Sequence, residues 1–273
     1  MVVSRETLAG LRVALPRLKS DDAIAAALKT AGAQVDTFAL TQTIPIESEQ
    51  LEQMRQRLAS GYYAWVVLSS WRAAQAVLTQ LNALALAPAS APTLNSPTSA
   101  PTRLAAVGQS TADWVNTHCA LKPALVGAGS AAKLLEVFPT PPTATTAATP
   151  TICLPQSQLA APTLAQGLSQ LGWQVDAVAT YTTAPLPQLP AHLKTQWQAG
   201  AWDAVVVTAG SSAQALLQLL GPPPKKTAVV SIGKSTTARC RELGLRVDAT
   251  AATPRAEHIT QAIINLFKAK DFS

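Results

Sequence analysis

The stretch WDAVVVTAGSS, Trp202 to Ser212, is an apolar run that ends in small hydroxyl residues and leads into a helical pattern. WVVLSS, Trp65 to Ser70, is the same sentence written earlier in the chain. A continuous run of β-branched residues with no polar alternation is the mark of a strand buried on both faces, as in a parallel sheet. Serines directly after it sit at the carboxyl end of that strand, where open α/β sheets bind their ligands.

The doubling extends outward on both sides. RVALP (Arg12 to Pro16) is echoed by TICLP (Thr151 to Pro155), and GAQVD (Gly32 to Asp36) by GWQVD (Gly172 to Asp176). AVGQSTA (Ala106 to Ala112) is echoed by SIGKSTT (Ser231 to Thr237). Val35 recurs at Val175 and Gly108 at Gly233, a repeat of roughly 125 to 140 residues. That is too long for a solenoid unit and is the length of a small domain. Two like domains facing each other make a cleft, and hydroxyls with helix starts suit an anionic ligand.

The first half predicts strands at 11–15, 34–40, 64–68 and 104–107. Its helices are expected at 21–31, capped by Ser20 or Asp21, at 48–59, at about 72–84, and after a Ser110 or Thr111 cap. The second half predicts strands at 152–154, 174–179, 204–208, 228–232 and near 246–249. Its helices are expected at 163–170, 212–220, 236–243 and 256–268. Alternating strands and helices give two doubly wound α/β domains with parallel sheets. Ala85 to Thr102 and Pro139 to Pro150, rich in Ala, Pro, Ser and Thr, read as flexible surface insertions.

With 273 residues, 48% apolar and 13% charged, the chain has material for two cores. No apolar run reaches a membrane span, and the start lacks the apolar region of a secretory signal. Cys119, Cys153 and Cys240 are odd in number and far apart, which predicts a reduced, cytoplasmic setting. His118, His192 and His258 have no ligand spacing, so no metal is expected. The net charge of +6 favours anions. It is scattered over Arg12, Arg17, Lys19, Arg55, Arg57, Arg72, Arg103 and Lys133, without the clustered pattern of a nucleic-acid surface.

The Gly-x-Ser-Thr turns, Gly108 to Thr111 and Gly233 to Thr236, combine a sharp exit from a strand with free N–H groups at a helix start. Ser69, Ser70, Thr208, Ser211 and Ser212 occupy the neighbouring strand ends. All of these hydroxyls read equally well as plain helix caps. Arg17 follows the first strand and is placed to reach a carboxylate. Tyr181, within YTT, offers a phenol that can donate a proton or hydrogen bond. Dinucleotide and nucleotide loops, the hydrolase elbow and paired acids are missing from the sequence. The remaining groups position and polarise a substrate rather than attack it.

In this order the motifs resemble the uroporphyrinogen-III synthase family over nearly the whole chain. The series is VALPR, GAQVD, VVLSS, AVGQSTA, GSAAKLLEVF, GWQVDAVATYTTAP, VVVTAGSSAQALL, SIGKSTTARCRELG and AATPRAEHITQAI. The resemblance implies a lyase of heme and chlorophyll synthesis acting on hydroxymethylbilane, a linear polycarboxylate tetrapyrrole. Water is lost and the macrocycle closes with its terminal pyrrole inverted, without metal or cofactor. It implies Tyr181 as the group assisting loss of the hydroxyl. It implies substrate binding by Arg17, Ser69, Ser70, Ser110, Thr111, Thr208, Ser211, Ser235 and Thr236.

Ala161 stands where many members carry an arginine, and Ala209 where a serine is usual. The family also implies a discontinuous first domain (1–40 and 182–273), a second domain (44–178) and a two-stranded connection. Monomer is the default, and neither nucleic acid nor membrane is expected as a partner. The rival reading is a non-catalytic two-domain binder of a small polycarboxylate or phosphate anion.

Overall fold

The computed structural model describes residues 8–86, 101–142 and 149–271. Of the expected insertions, 87–100 and 143–148 lie outside the described residues. The chain forms two compact units, residues 1–42 with 183–273 and residues 43–182.

In chain order the elements begin with β1 (Arg12–Leu15), α1 (Ala23–Thr30), β2 (Gln34–Thr37), β3 (Thr41–Pro45) and α2 (Glu49–Ala59). Next come β4 (Trp65–Leu68), α3 (Trp71–Ala76), α4 (Leu78–Leu86), β5 (Arg103–Ala106), α5 (Gln109–His118), β6 (Leu125–Val126) and α6 (Ala131–Leu135). They continue with β7 (Thr151–Ser157), α7 (Thr163–Gln170), β8 (Gln174–Pro185), α8 (Ala191–Gln198), β9 (Ala204–Val207) and α9 (Gly210–Leu220). The last are β10 (Ala228–Ser231), α10 (Lys234–Glu242), β11 (Ala249–Thr250) and α11 (Ala256–Asp271).

The first unit holds a five-stranded sheet in the order β11-β10-β9-β1-β2, all of its pairings parallel. Successive residues of its central strands go to opposite cores. Val13, Leu15, Val206 and Val230 meet Ile24 and Leu28 of α1 and Ile259 and Ile263 of α11. Ala14, Val205, Val207 and Val229 meet Trp197 of α8, Leu216 of α9 and Cys240 of α10. Burial on both faces is why these strands carry no polar alternation.

The second unit repeats the plan in a six-stranded sheet, β3-β8-β7-β4-β5-β6. Val66, Leu68 and Leu104 face α2, α3, α4 and α5. Trp65, Val67 and Ile152 face Leu134 of α6 and Leu164 and Leu168 of α7. Along the β7–β8 pair the register runs regularly to Gln156 opposite Ala179, and then Ser157 pairs with Tyr181. Thr180 is the extra residue of this bulge. Bulges re-aim side chains, and this one falls immediately before the tyrosine singled out by the sequence.

The expected single helix 72–84 is two, broken at Val77 (φ −124°, ψ 18°). The strand expected over 34–40 ends at Thr37, and the one expected near 246–249 is the short β11. α1 is capped by Asp22, not Ser20 or Asp21; Asp21 has φ +52° and only turns the chain into the cap. At α5 neither Ser110 nor Thr111 is the cap. Gly108 holds that position with no side-chain hydrogen bond. Four elements had no counterpart in the sequence reading: β3, β6, α6 and α8.

Candidate functional site

In the second unit, β4 and β5 are neighbours, so Ser69 and Ser70 and the turn Gly108 to Thr111 leave adjacent strand ends. Ser70 is extended (φ −158°, ψ 159°) and caps α3, its Oγ accepting the Ala73 N–H at 3.2 Å. The same Oγ lies 3.0 Å from the Tyr181 hydroxyl. Tyr181 itself is held by its backbone, whose carbonyl accepts the Gln158 N–H at 2.8 Å. Ser70 is therefore both a cap and the partner of the tyrosine.

Tyr181 borders a cavity of about 730 Å³ lined also by Thr43, Glu47, Arg55, Trp71 and Arg72. The two arginines differ in what they already hold. Arg55 is paired with Glu47 at 2.7 Å and donates to the Ala76 carbonyl at 3.2 Å. That pairing holds the Glu47 carboxyl below its ordinary value; the Arg55 hydrogen bond is the largest cause and outweighs desolvation. Arg72 has no carboxylate partner among the described residues; its guanidinium lies 4.5 Å from the Trp71 ring centroid. In the sequence Arg72 is one of the scattered charges. Its position two residues after Ser70, at the start of α3, was the available signal.

The turn at Gly108 packs tightly. A Cβ there would lie 2.9 Å from the Gly129 Cα. Ser110 is exposed on the first turn of α5, whereas Thr111 is buried and its N–H turns back to the Gly108 carbonyl at 3.1 Å.

In the first unit, β9 and β10 are neighbours, which puts Thr208 and Ser211 beside Ser235 and Thr236 at adjoining strand ends. Ala209 occupies the cap of α9 and Gly233 that of α10, both without side-chain capping. Ser235 is exposed, Ser211 half-buried and Thr236 buried. Behind the turn lies a cluster of three hydroxyls, of which Ser231 and Thr237 are buried and Thr250 is exposed. Ser231 Oγ is 2.5 Å from Thr237 Oγ1, which is 2.7 Å from Thr250 Oγ1. The matching positions of the other turn, Ala106 and Ala112, are apolar.

Arg17 is committed elsewhere than to an open strand end. Its Nε and Nη2 meet the two oxygens of Asp22 at 2.5 and 2.6 Å. Asp22 Oδ1 also accepts the Ile24 and Ala25 N–H groups. Desolvation works to raise the Asp22 pKa, but the Arg17 and backbone hydrogen bonds outweigh it and hold the carboxyl below its usual range. Farther from the strand ends, Asp36 accepts from Arg12 at 2.6 Å and from Trp202 Nε1 at 2.7 Å. Asp176, its counterpart, accepts from Arg57 and from the Tyr63 hydroxyl. Burial and that carboxylate push the Tyr63 pKa well above its ordinary value. No helix among the described residues is long and apolar enough to cross a membrane.

A family model described as "Uroporphyrinogen-III synthase HemD" matches residues 22–261. Among solved structures, the fold resembles a mutant uroporphyrinogen III synthase from the extremely thermophilic bacterium Thermus thermophilus, with TM-score 0.57 and 19% identity over 95% of this chain and 99% of that one. It also resembles the uroporphyrinogen-III synthetase of Helicobacter pylori, with TM-score 0.59 and 15% identity over 94% of this chain and 99% of that one. At these identities the structural likeness carries the fold, while the family model carries the family. No curated protein sequence matches the chain.

Proposed function

Because this chain belongs to the uroporphyrinogen-III synthase family, we propose that Tyr181, held by Ser70, assists loss of the hydroxyl in that family's reaction. The activity is the cyclisation of hydroxymethylbilane to uroporphyrinogen III, a lyase step of tetrapyrrole and heme biosynthesis. The terminal hydroxyl leaves as water, its carbon bonds to the terminal pyrrole, and that ring is inverted in the product.

The observation that carries the role of Tyr181 is its 3.0 Å contact with Ser70. Either hydroxyl can donate across this contact, because Ser70 Oγ, which accepts the Ala73 N–H, keeps its own proton and a second lone pair. Given to the phenol oxygen, that proton leaves the Tyr181 O–H free to aim at a leaving hydroxyl. An electron-rich pyrrole expels that hydroxyl readily once it is protonated. The larger task is holding the chain so that the correct carbon attacks.

Substrate carboxylates fall to groups with donors to spare. In the second unit these are Ser69, Ser110 and Arg72, with the N–H groups at the start of α5. In the first unit they are Thr208, Ser211 and Ser235, with the start of α10. Buried Thr111 and Thr236 serve by shaping their turns. Arg17 contributes by fixing Asp22 and α1 rather than as a free cation. Ala161 and Ala209 leave those two positions without a side-chain contact. The buried, free cysteines support a cytoplasmic location.

Tyr181→Phe and Ser70→Ala, alone and together, test the pairing by the rate of isomer III formation. Each single change is expected to slow the reaction by no more than roughly a hundredfold. The double change is expected to cost little more than Tyr181→Phe alone, because the two act as one unit. Independent, multiplying losses would contradict the role given to Ser70.

A further inference from the structure

Beside the Tyr181–Ser70 pair, the second unit carries a row of flat side chains in contact, from Arg72 through Trp71 and Trp114 to His118. Arg72 lies 4.5 Å over the Trp71 ring. Trp71 is 6.1 Å from Trp114 at an interplanar angle of 32°. Trp114 in turn is stacked on the His118 imidazole at 4.3 Å and 11°. The row links α3 to α5, the two helices that start at the strand ends with Ser70 and with Gly108.

Trp71 is placed differently from the core indoles of this unit. Trp65 and Trp173 are buried, whereas Trp71 remains 38% exposed and borders the Tyr181 cavity. An indole left that exposed forgoes apolar burial that it would gain in a core. Arg72 lies over the ring and Trp114 packs beside it. A preorganised, exposed aromatic surface at a cavity mouth costs little entropy when a flat partner settles on it.

We propose that Trp71 is the platform on which one pyrrole ring of the substrate stacks while Tyr181 works on the leaving hydroxyl. This rests on the reading that the Tyr181 cavity is where the reaction occurs. A pyrrole of hydroxymethylbilane is planar, electron-rich and bears acid side chains. Trp71 matches the ring by offset stacking. Arg72, adjacent and without a carboxylate partner among the described residues, matches an acid side chain. The role is one of binding and orientation and moves no proton.

The test is steady-state formation of uroporphyrinogen III from freshly prepared hydroxymethylbilane by wild type, Trp71→Ala and Trp71→Phe. Trp71→Ala is expected to raise KM roughly three- to tenfold, the size of one lost aromatic stack. Its kcat should stay within about twofold and its melting temperature close to wild type, because the ring is not core. Trp71→Phe should recover much of the KM. An unchanged KM in Trp71→Ala overturns the proposal. So does a fall in kcat and melting temperature that Phe does not rescue, which would mean the ring only braces α3 against α5. Wild-type protein that yields isomer I alone would instead overturn the underlying reading, whatever Trp71 does.

Discussion

Ser70 illustrates how much a single hydroxyl carries here. It closes the start of α3 by accepting the Ala73 N–H and at the same time partners Tyr181. Ser70→Ala removes a cap, for which about 1 kcal/mol of stability is the usual cost. Thermal unfolding should register a drop of roughly 2–4 °C, and Tyr181→Phe should show a smaller one. A second residue, Asp22, ties electrostatics to folding. Its carboxyl is lowered in the folded state by Arg17 and by the caps of α1, so its contribution is present above the unfolded carboxylate range, near pH 4. That contribution is lost as pH falls through the lower folded value. Asp22→Asn should therefore destabilise the protein at pH 7, and the gap to wild type should close in acid. A gap that stayed constant down to pH 2 would contradict the assignment. At this scale the sequence indicated Tyr181 and Ser70 separately. Their bond spans 111 residues, and nothing in a one-dimensional pattern announces it. Arg17 is engaged locally, since a carboxylate five residues on meets its Nε and Nη2.

At the level of elements, the two Gly-x-Ser-Thr turns look alike in sequence and differ in packing. A methyl at Gly108 meets backbone, the Gly129 Cα at 2.9 Å, which cannot rotate away. A methyl at Gly233 meets nothing within 4 Å, and its φ of 167° is extended backbone that any residue adopts. Gly108→Ala should cost about 1–3 kcal/mol by overpacking and impair the α5 turn, while Gly233→Ala should be nearly silent in thermal unfolding. Equal effects would contradict this difference. The elements that escaped the sequence reading share a physical reason. β3 has four exposed residues of five and β6 is two residues long, so neither carries an apolar signature. α6 spans only five residues. α8 did carry a signal, since Leu193 and Trp197 are four apart and both buried, but it is short and enters from Pro190. The long apolar strands, by contrast, were legible because burial on both faces leaves their composition no alternative.

For the molecule as a whole, the doubled sequence corresponds to two α/β units with largely parallel sheets, each with a core on either face. The residues taken alone suggested consecutive halves. The chain instead leaves the first unit within β3 and returns to it within β8. β3 is a polar strand with no apolar run of its own, so that crossing left no mark in hydrophobic patterning. What the doubling does show is where hydroxyl side chains accumulate, at the carboxyl ends of neighbouring strands in each sheet. We propose that these groups serve the cyclisation of hydroxymethylbilane with ring inversion. The direct measurement is to incubate the purified protein with freshly made hydroxymethylbilane, oxidise the products and separate the uroporphyrin isomers. Isomer III is expected to predominate and to form faster than spontaneous closure. Isomer I alone, appearing at the spontaneous rate, would contradict the proposal.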